Sequence, residues 1–176
     1  AAGQSINYFK TPWGSYIEFI SYPNDMAYDV PSVHPLWSPK RNGLDTVQTK
    51  VPGLLGIDHV GITVPAIAIA SAWLETNLGF AIAVEARVKS GDLDEKGDFM
   101  TALVDVHPRA VVEEIRMLRG GNGPNIELFQ YTSPDQDRSA RRNSDWGGHH
   151  VGLYVQRIDK GVDTLQSRAG SKLDGP

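Results

Sequence analysis

The chain reads as an α+β protein built from two copies of one strand–helix–strand–strand–strand unit, and three observations lead there. The stretch IDHVGITV at residues 57–64 recurs as GHHVGLYV at 148–155, and PNIELFQYT at 124–132 recurs as SYIEFISYP at 15–23. All four stretches are rich in Val, Ile, Tyr and Phe and bounded by Gly, Pro or Asn, the composition of half-buried strands. Apolar residues at helical spacing follow each first strand, over residues 66–79 and 157–170. Each copy therefore offers one His and one Glu at matched positions.

Taken in chain order, residues 5–10 and 15–22 are two strands, the third and fourth of the second unit, which together occupy 1–23. Residues 24–53 form a linker. The first unit spans 54–132: a strand over 57–64, a helix over 66–79 closed by Gly79 in a left-handed cap, and a strand over 80–88. An acidic, Gly-containing insertion over 89–110 holds one short helix at 99–105 and is read as a lid, a dimer contact or a long surface loop. Strands over 111–119 and 124–132 complete the unit, and 133–146 link it to the next. Residues 147–176 then supply the first strand, helix and second strand of the second unit, which is whole only if residue 176 is joined to residue 1. This is the order of a circular permutant or of fragments numbered out of order, and either way Gly175 and Pro176 are expected near Ala1 and Ala2.

Side chains on a strand alternate between faces. His59 thus shares a face with Gly61 and Thr63, while Val60, Ile62 and Val64 form an apolar face suited to lie under a helix. The same parity groups His150 with Gly152 and Tyr154, so His150 rather than His149 is the counterpart of His59. Glu127 lies with Asn125 and Phe129, and Glu18 with Tyr16 and Ile20. A carboxylate placed mid-strand among aromatics implies a partner.

Composition narrows the chemistry. A chain of 176 residues with 40% hydrophobic content can bury a core, as one domain or two small fused modules. A net charge of −4 gives no footprint for nucleic acid or anionic membranes. No cysteine is present, so any metal is held by His, carboxylate, carbonyl or water, which favours a hard or borderline ion. No apolar run approaches the length of a membrane span, and residues 1–8 lack the basic and apolar regions of a leader, so a cytoplasmic location is expected. His34 and His107 each precede a Pro and read as non-functional. Arg138, Arg141 and Arg142 read as a solvated loop, with anion binding the alternative. Trp13, Trp73, Trp146 and Phe129 read as packing residues, Phe129 also as a candidate wall of the site.

The motifs GIDHVGITVP at 56–65 and NIELF at 125–129 resemble those of the vicinal oxygen chelate superfamily, the glyoxalase, bleomycin-resistance and extradiol-dioxygenase group. The resemblance leaves out residues 24–53 and the 89–110 insertion. It implies paired βαβββ modules whose curved sheets form a cup around a divalent ion (Zn, Ni, Mn or Fe), with His59, Glu127, His150 and Glu18 as ligands. It also implies a small-molecule substrate that chelates the ion through oxygen, and a homodimer. Two imidazoles and two carboxylates leave positions open for substrate oxygens, and Glu127 or Glu18 is then the catalytic base beside a polarised carbonyl. A lyase or isomerase like glyoxalase I or an epimerase is expected. A ferrous extradiol-type dioxygenase using His59, His150 and Glu18, and a drug-binding resistance protein, are the alternatives. His149 is expected to be structural, or to orient His150.

Overall fold

The computed structural model describes residues 5–22, 33–34, 36–37, 50–86 and 99–168. The chain divides into two compact units, Ala1–Arg138 and Ser139–Pro176. The first carries an open four-stranded sheet, a separate two-stranded hairpin and two helices.

The hairpin comes first. Strands β1 (Ser5–Lys10) and β2 (Tyr16–Ser21) pair antiparallel, with Tyr8 opposite Glu18. Their turn is closed by the Thr11 N–H donating to the Ser15 carbonyl at 2.8 Å, and Gly14 takes φ 94°, a left-handed conformation that a residue with a Cβ adopts at a cost. The four-stranded sheet is built from β3 (His59–Thr63), β4 (Ala81–Ala86), β5 (Val111–Arg119) and β6 (Asn125–Thr132) in the order β3-β6-β5-β4. Strand β3 runs parallel to β6, and the other pairs are antiparallel. Register shifts between Ile82 and Val84 and between Val112 and Glu114 interrupt the ladders of β5 with its two neighbours.

Helix α1 (Ile67–Leu78) connects β3 to β4 and covers one face of the sheet. Its first N–H groups need acceptors that the helix cannot supply. The Ile67 N–H finds one in the Gln130 side-chain oxygen at 2.8 Å, which pins the helix start to β6. At the other end Gly79 adopts φ 70°, and the N–H groups of Gly79 and Phe80 close onto the carbonyls of Glu75 and Leu74. Beneath α1, Ile67, Leu118, Ile126 and Leu128 form a buried cluster with Val60, Ile62 and Val64 packed against it, so the apolar face of β3 lies where alternation puts it. Phe80 also packs on this cluster and lies over Gly120, where a Cβ would run into its ring. On the opposite face, Leu36 is buried with Ala83 and Met117. Met117 stands opposite Glu127 in the β5–β6 ladder and therefore shares its face.

The short helix α2 (Phe99–Val104) falls where one is expected in the 89–110 insertion, and a surface ion pair from Lys10 to Asp105 at 3.1 Å links the hairpin to its end. Among the described residues, no helix is long and apolar enough to cross a membrane.

In the second unit the strand expected over 148–155 is absent. These residues carry no ladder, and α3 (Ile158–Ser167) follows with none of its residues buried. A strand exists only against a partner's N–H and C=O groups, and the described residues of this unit hold turns and one helix. The strand expected over 171–176, and the expected approach of Gly175 and Pro176 to Ala1 and Ala2, lie outside the described residues. Trp13 and Trp146, expected to pack, are 66% and 88% exposed, since each sits in a turn-rich loop.

Candidate functional site

Three of the four expected ligands converge in the first unit. One donor atom from each of Glu18, His59 and Glu127 lies within 4.8 Å of the others, and all three side chains are partly buried. Each is delivered by a different strand. His59 opens β3 opposite Asn125 of β6, and two residues on, Gly61 stands beside Glu127, its missing side chain leaving the carboxylate uncovered. Glu18 comes from β2 of the hairpin.

The imidazole is the hub. His59 Nε2 lies 3.2 Å from Glu18 Oε2 and 3.3 Å from Glu127 Oε2. On its other edge Nδ1 lies 2.9 Å from Asp58 Oδ2, which also accepts a hydrogen bond from the Tyr22 hydroxyl at 3.0 Å. Asp58 is anchored by its main chain: its carbonyl accepts from the Asn125 N–H at 2.8 Å and from the Asn125 amide at 2.9 Å. Asn125 is fully buried, and the same side chain holds both the N–H and the carbonyl of Trp37. One satisfied amide thus fixes the entry to β3 and a piece of the 24–53 linker.

Charge accumulates in this corner. Burial disfavours the His59 imidazolium, but its hydrogen bonds to Asp58 and Glu18 and the charge of Glu127 outweigh that and raise its pKa to about 10. Burial pushes Glu127 up, His59 opposes, and the charges of Glu18 and Asp58 reinforce the rise, so its carboxyl titrates near 7. Two phenols flank the carboxylates. Burial, then the charge of and a hydrogen bond to Glu18, raise Tyr8. Burial and the charge of Glu127 push Tyr131 up to about 12. Both remain protonated donors at neutral pH. Phe129 stacks on Tyr131 with ring centroids 5.6 Å apart, on the Glu127 face of β6.

This donor set fits a divalent cation. Atoms bound to one ion at about 2.1 Å stand roughly 3 to 3.4 Å from each other, the spacing His59 Nε2 keeps from both carboxylates. One imidazole nitrogen and two carboxylate oxygens suit zinc, nickel, manganese or iron. Without such an ion, a protonated His59 is the cation that offsets three neighbouring carboxylates among the described residues.

His150 lies in the second unit, exposed, with Nδ1 3.2 Å from the Asn143 amide nitrogen. His149, also exposed, turns Nδ1 toward the Gly147 carbonyl at 3.3 Å. Arg138, Arg141 and Arg142 are exposed, and Arg142 pairs with Asp145 at 2.9 Å, as a solvated loop would. His107 accepts the Arg109 N–H locally at 3.0 Å.

Sequence reasoning missed Asp58, Tyr22, Tyr8 and Tyr131. Alternation turns Asp58 away from His59, yet Asp58 precedes β3, where alternation has no force. Two signals were present for the tyrosines: hairpin register from the 11–15 turn sets Tyr8 against Glu18, and strand parity groups Tyr131 with Phe129 and Glu127.

Residues 58–174 match the family described as the Glyoxalase/Bleomycin resistance protein/Dioxygenase superfamily. The match takes in His59, Glu127 and His150 and leaves Glu18 outside. A 2-epi-5-epi-valiolone epimerase from Actinomyces sp is 37% identical over 125 residues, 71% of this chain and 65% of that protein. The chain therefore spans less than two thirds of that relative's length. No solved structure matches the chain.

Proposed function

The chain belongs to the glyoxalase, bleomycin resistance protein and dioxygenase superfamily, and from that premise we propose that it is a metal-dependent epimerase or related isomerase of a small substrate that chelates the ion through oxygen. The convergence of Glu18, His59 and Glu127 carries this reading, and likeness to an epimerase supports it. His150 is the proposed fourth ligand, from its place in the sequence repeat alone. Residues 1–23 and 147–176 are proposed to be the two parts of one second module, and the working form a homodimer, as the family resemblance implies; a cytoplasmic location is proposed beside it.

A bound divalent ion would polarise a substrate carbonyl and acidify the adjacent C–H. The chain's residues do the rest. Glu127, a partly buried carboxylate that would leave the ion to act, is the proposed base beside that carbon. It takes the proton from carbon, and the electron pair of the broken C–H bond passes into the carbonyl. Return of a proton to the opposite face, assigned here to Glu18 after it takes that proton from solvent, inverts the centre. Tyr8 donates a hydrogen bond to Glu18, and the Tyr131 phenol lies near Glu127.

Oxygenase chemistry of this superfamily's kind calls for two imidazoles and one carboxylate around ferrous iron. With His150 the proposed set is two imidazoles and two carboxylates, and the second carboxylate, Glu127, fills a position that an oxygenase leaves open, which favours proton transfer. The test is to incubate metal-loaded protein in D₂O with 2-epi-5-epi-valiolone and a panel of α-hydroxy ketones. Deuterium entering the carbon beside the carbonyl, with the epimer appearing, is the expected result. Oxygen uptake with ring-opened catechols, and no such exchange, would overturn it.

A further inference from the structure

We infer that Tyr22 and Asp58 are positioning residues that orient His59, fixing which ring nitrogen faces the site. The inference rests on the reading of His59 as a metal ligand, and it adds two residues that the ligand repeat does not contain. An imidazole can present either nitrogen, and the hydrogen bond made by one decides what the other offers. Here Asp58 Oδ2 lies 2.9 Å from Nδ1, so Nδ1 carries a proton and Nε2 is turned toward Glu18 and Glu127. The carboxylate is itself held twice. The Tyr22 hydroxyl donates to the same Oδ2 at 3.0 Å, and Asn125 grips the Asp58 carbonyl through both its N–H and its amide.

The arrangement joins two sheets of the first unit. Tyr22 immediately follows β2, the strand that delivers Glu18, whereas Asp58 immediately precedes β3 and Asn125 opens β6, the strand that delivers Glu127. The Tyr22–Asp58 bond is therefore a tie between the hairpin and the four-stranded sheet beside the ligand trio. It sets the imidazole plane and also limits the distance between the two carboxylates.

The test compares wild type, Asp58→Ala, Asp58→Asn, Tyr22→Phe and His59→Ala as full-length chains. Two readouts are taken: Mn²⁺ and Zn²⁺ affinity by competition with a chelating dye, and the His59 Nδ1 proton by long-range ¹H–¹⁵N NMR of metal-free and Zn²⁺-loaded protein. Asp58→Ala is expected to weaken metal binding about 10- to 100-fold, the usual cost of losing a ligand's hydrogen-bonding partner. The downfield Nδ1 proton should vanish while thermal unfolding stays cooperative. Asp58→Asn keeps an acceptor at Oδ1 and should restore the Nδ1 proton with most of the affinity. Tyr22→Phe should shift that resonance and weaken binding only a few-fold. A wild type that binds metal, loses it in His59→Ala and keeps it unchanged in Asp58→Ala would overturn the inference and leave the metal site standing. A wild type that binds no metal would remove the metal site, and the Nδ1 proton, present in wild type and lost in Asp58→Ala or not, would still decide the positioning.

Discussion

His59 and His150 stand at matched places in a repeated sequence, and their surroundings differ. His59 is flanked by β6, backed by α1 and its buried cluster, and touched by three carboxylates. His150 lies on ladder-free chain before a helix with no buried residue. The helices differ in the opposite sense from their sequences. Helix α3 carries the cleaner apolar stripe in Ile158, Val162 and Leu165, yet Ile158 is 75% exposed, whereas α1 buries Ile67 and even Ser71, which Arg116 meets from β5 at 2.5 Å. Amphipathic spacing states which face a helix can bury, and only a sheet beside it decides whether it does.

The contrast can be broken from its strongest point downward. His59→Ala should abolish tight metal binding and the proposed epimerase activity together, and His150→Ala should lower metal affinity at least about tenfold if the repeat assigns a fourth ligand. Unchanged affinity in His150→Ala, measured by the same dye competition, would confine the site to the first unit. Glu127→Gln should cut turnover by about 10² to 10⁴ with a much smaller loss of bound metal, since it removes a base and keeps an oxygen. Steady-state kinetics beside elemental analysis separates the two effects.

Packing should follow the same contrast. Leu118→Ala, in the fully buried cluster, should cost about 2 to 5 kcal/mol of stability by denaturant unfolding. Ile158→Ser on α3 should stay within about 0.5 kcal/mol. A large loss at Ile158 would mean that α3 packs against a partner in solution.

The smallest effect is in pH. For His59 the folded pKa of about 10 exceeds the free value of 6.5, so in metal-free protein its contribution is full below 6.5 and lost as pH rises through 10. Glu127, raised from 4.5 to about 7, has the same sign: its stabilising protonation is full below 4.5 and lost as pH rises through 7. The melting temperature of metal-stripped protein should therefore fall from pH 6.5 to 10. Metal competes with these protons, so affinity should rise over the same interval, and above pH 7, where Glu127 is ionised and His59 is still protonated, binding should release close to one proton per ion. Calorimetry in two buffers of different ionisation heat counts that proton.

Much of the first unit was legible because its signals are local. Strand parity placed Val60 and Ile62 beneath α1 and Glu127 with Phe129, and Gly79 marked the helix end. What the sequence hid depends on neighbours. Asp58 acts through a side chain one residue away, outside any strand, and Asn125 looked like a strand residue with no task beyond its register. The 148–155 stretch carries a strand's composition, but composition cannot supply the partner whose hydrogen bonds make a strand.

Whether Glu18, His59 and Glu127 hold an ion can be measured directly. Protein prepared without chelators, with Glu18→Gln and His59→Ala beside it, should be assayed for metal by mass spectrometry and for Mn²⁺ binding by titration. One divalent ion per chain in wild type, weakened by loss of the Glu18 charge and absent in His59→Ala, is the predicted result. A wild type without stoichiometric metal, whose Mn²⁺ titration matches that of both variants, would contradict it.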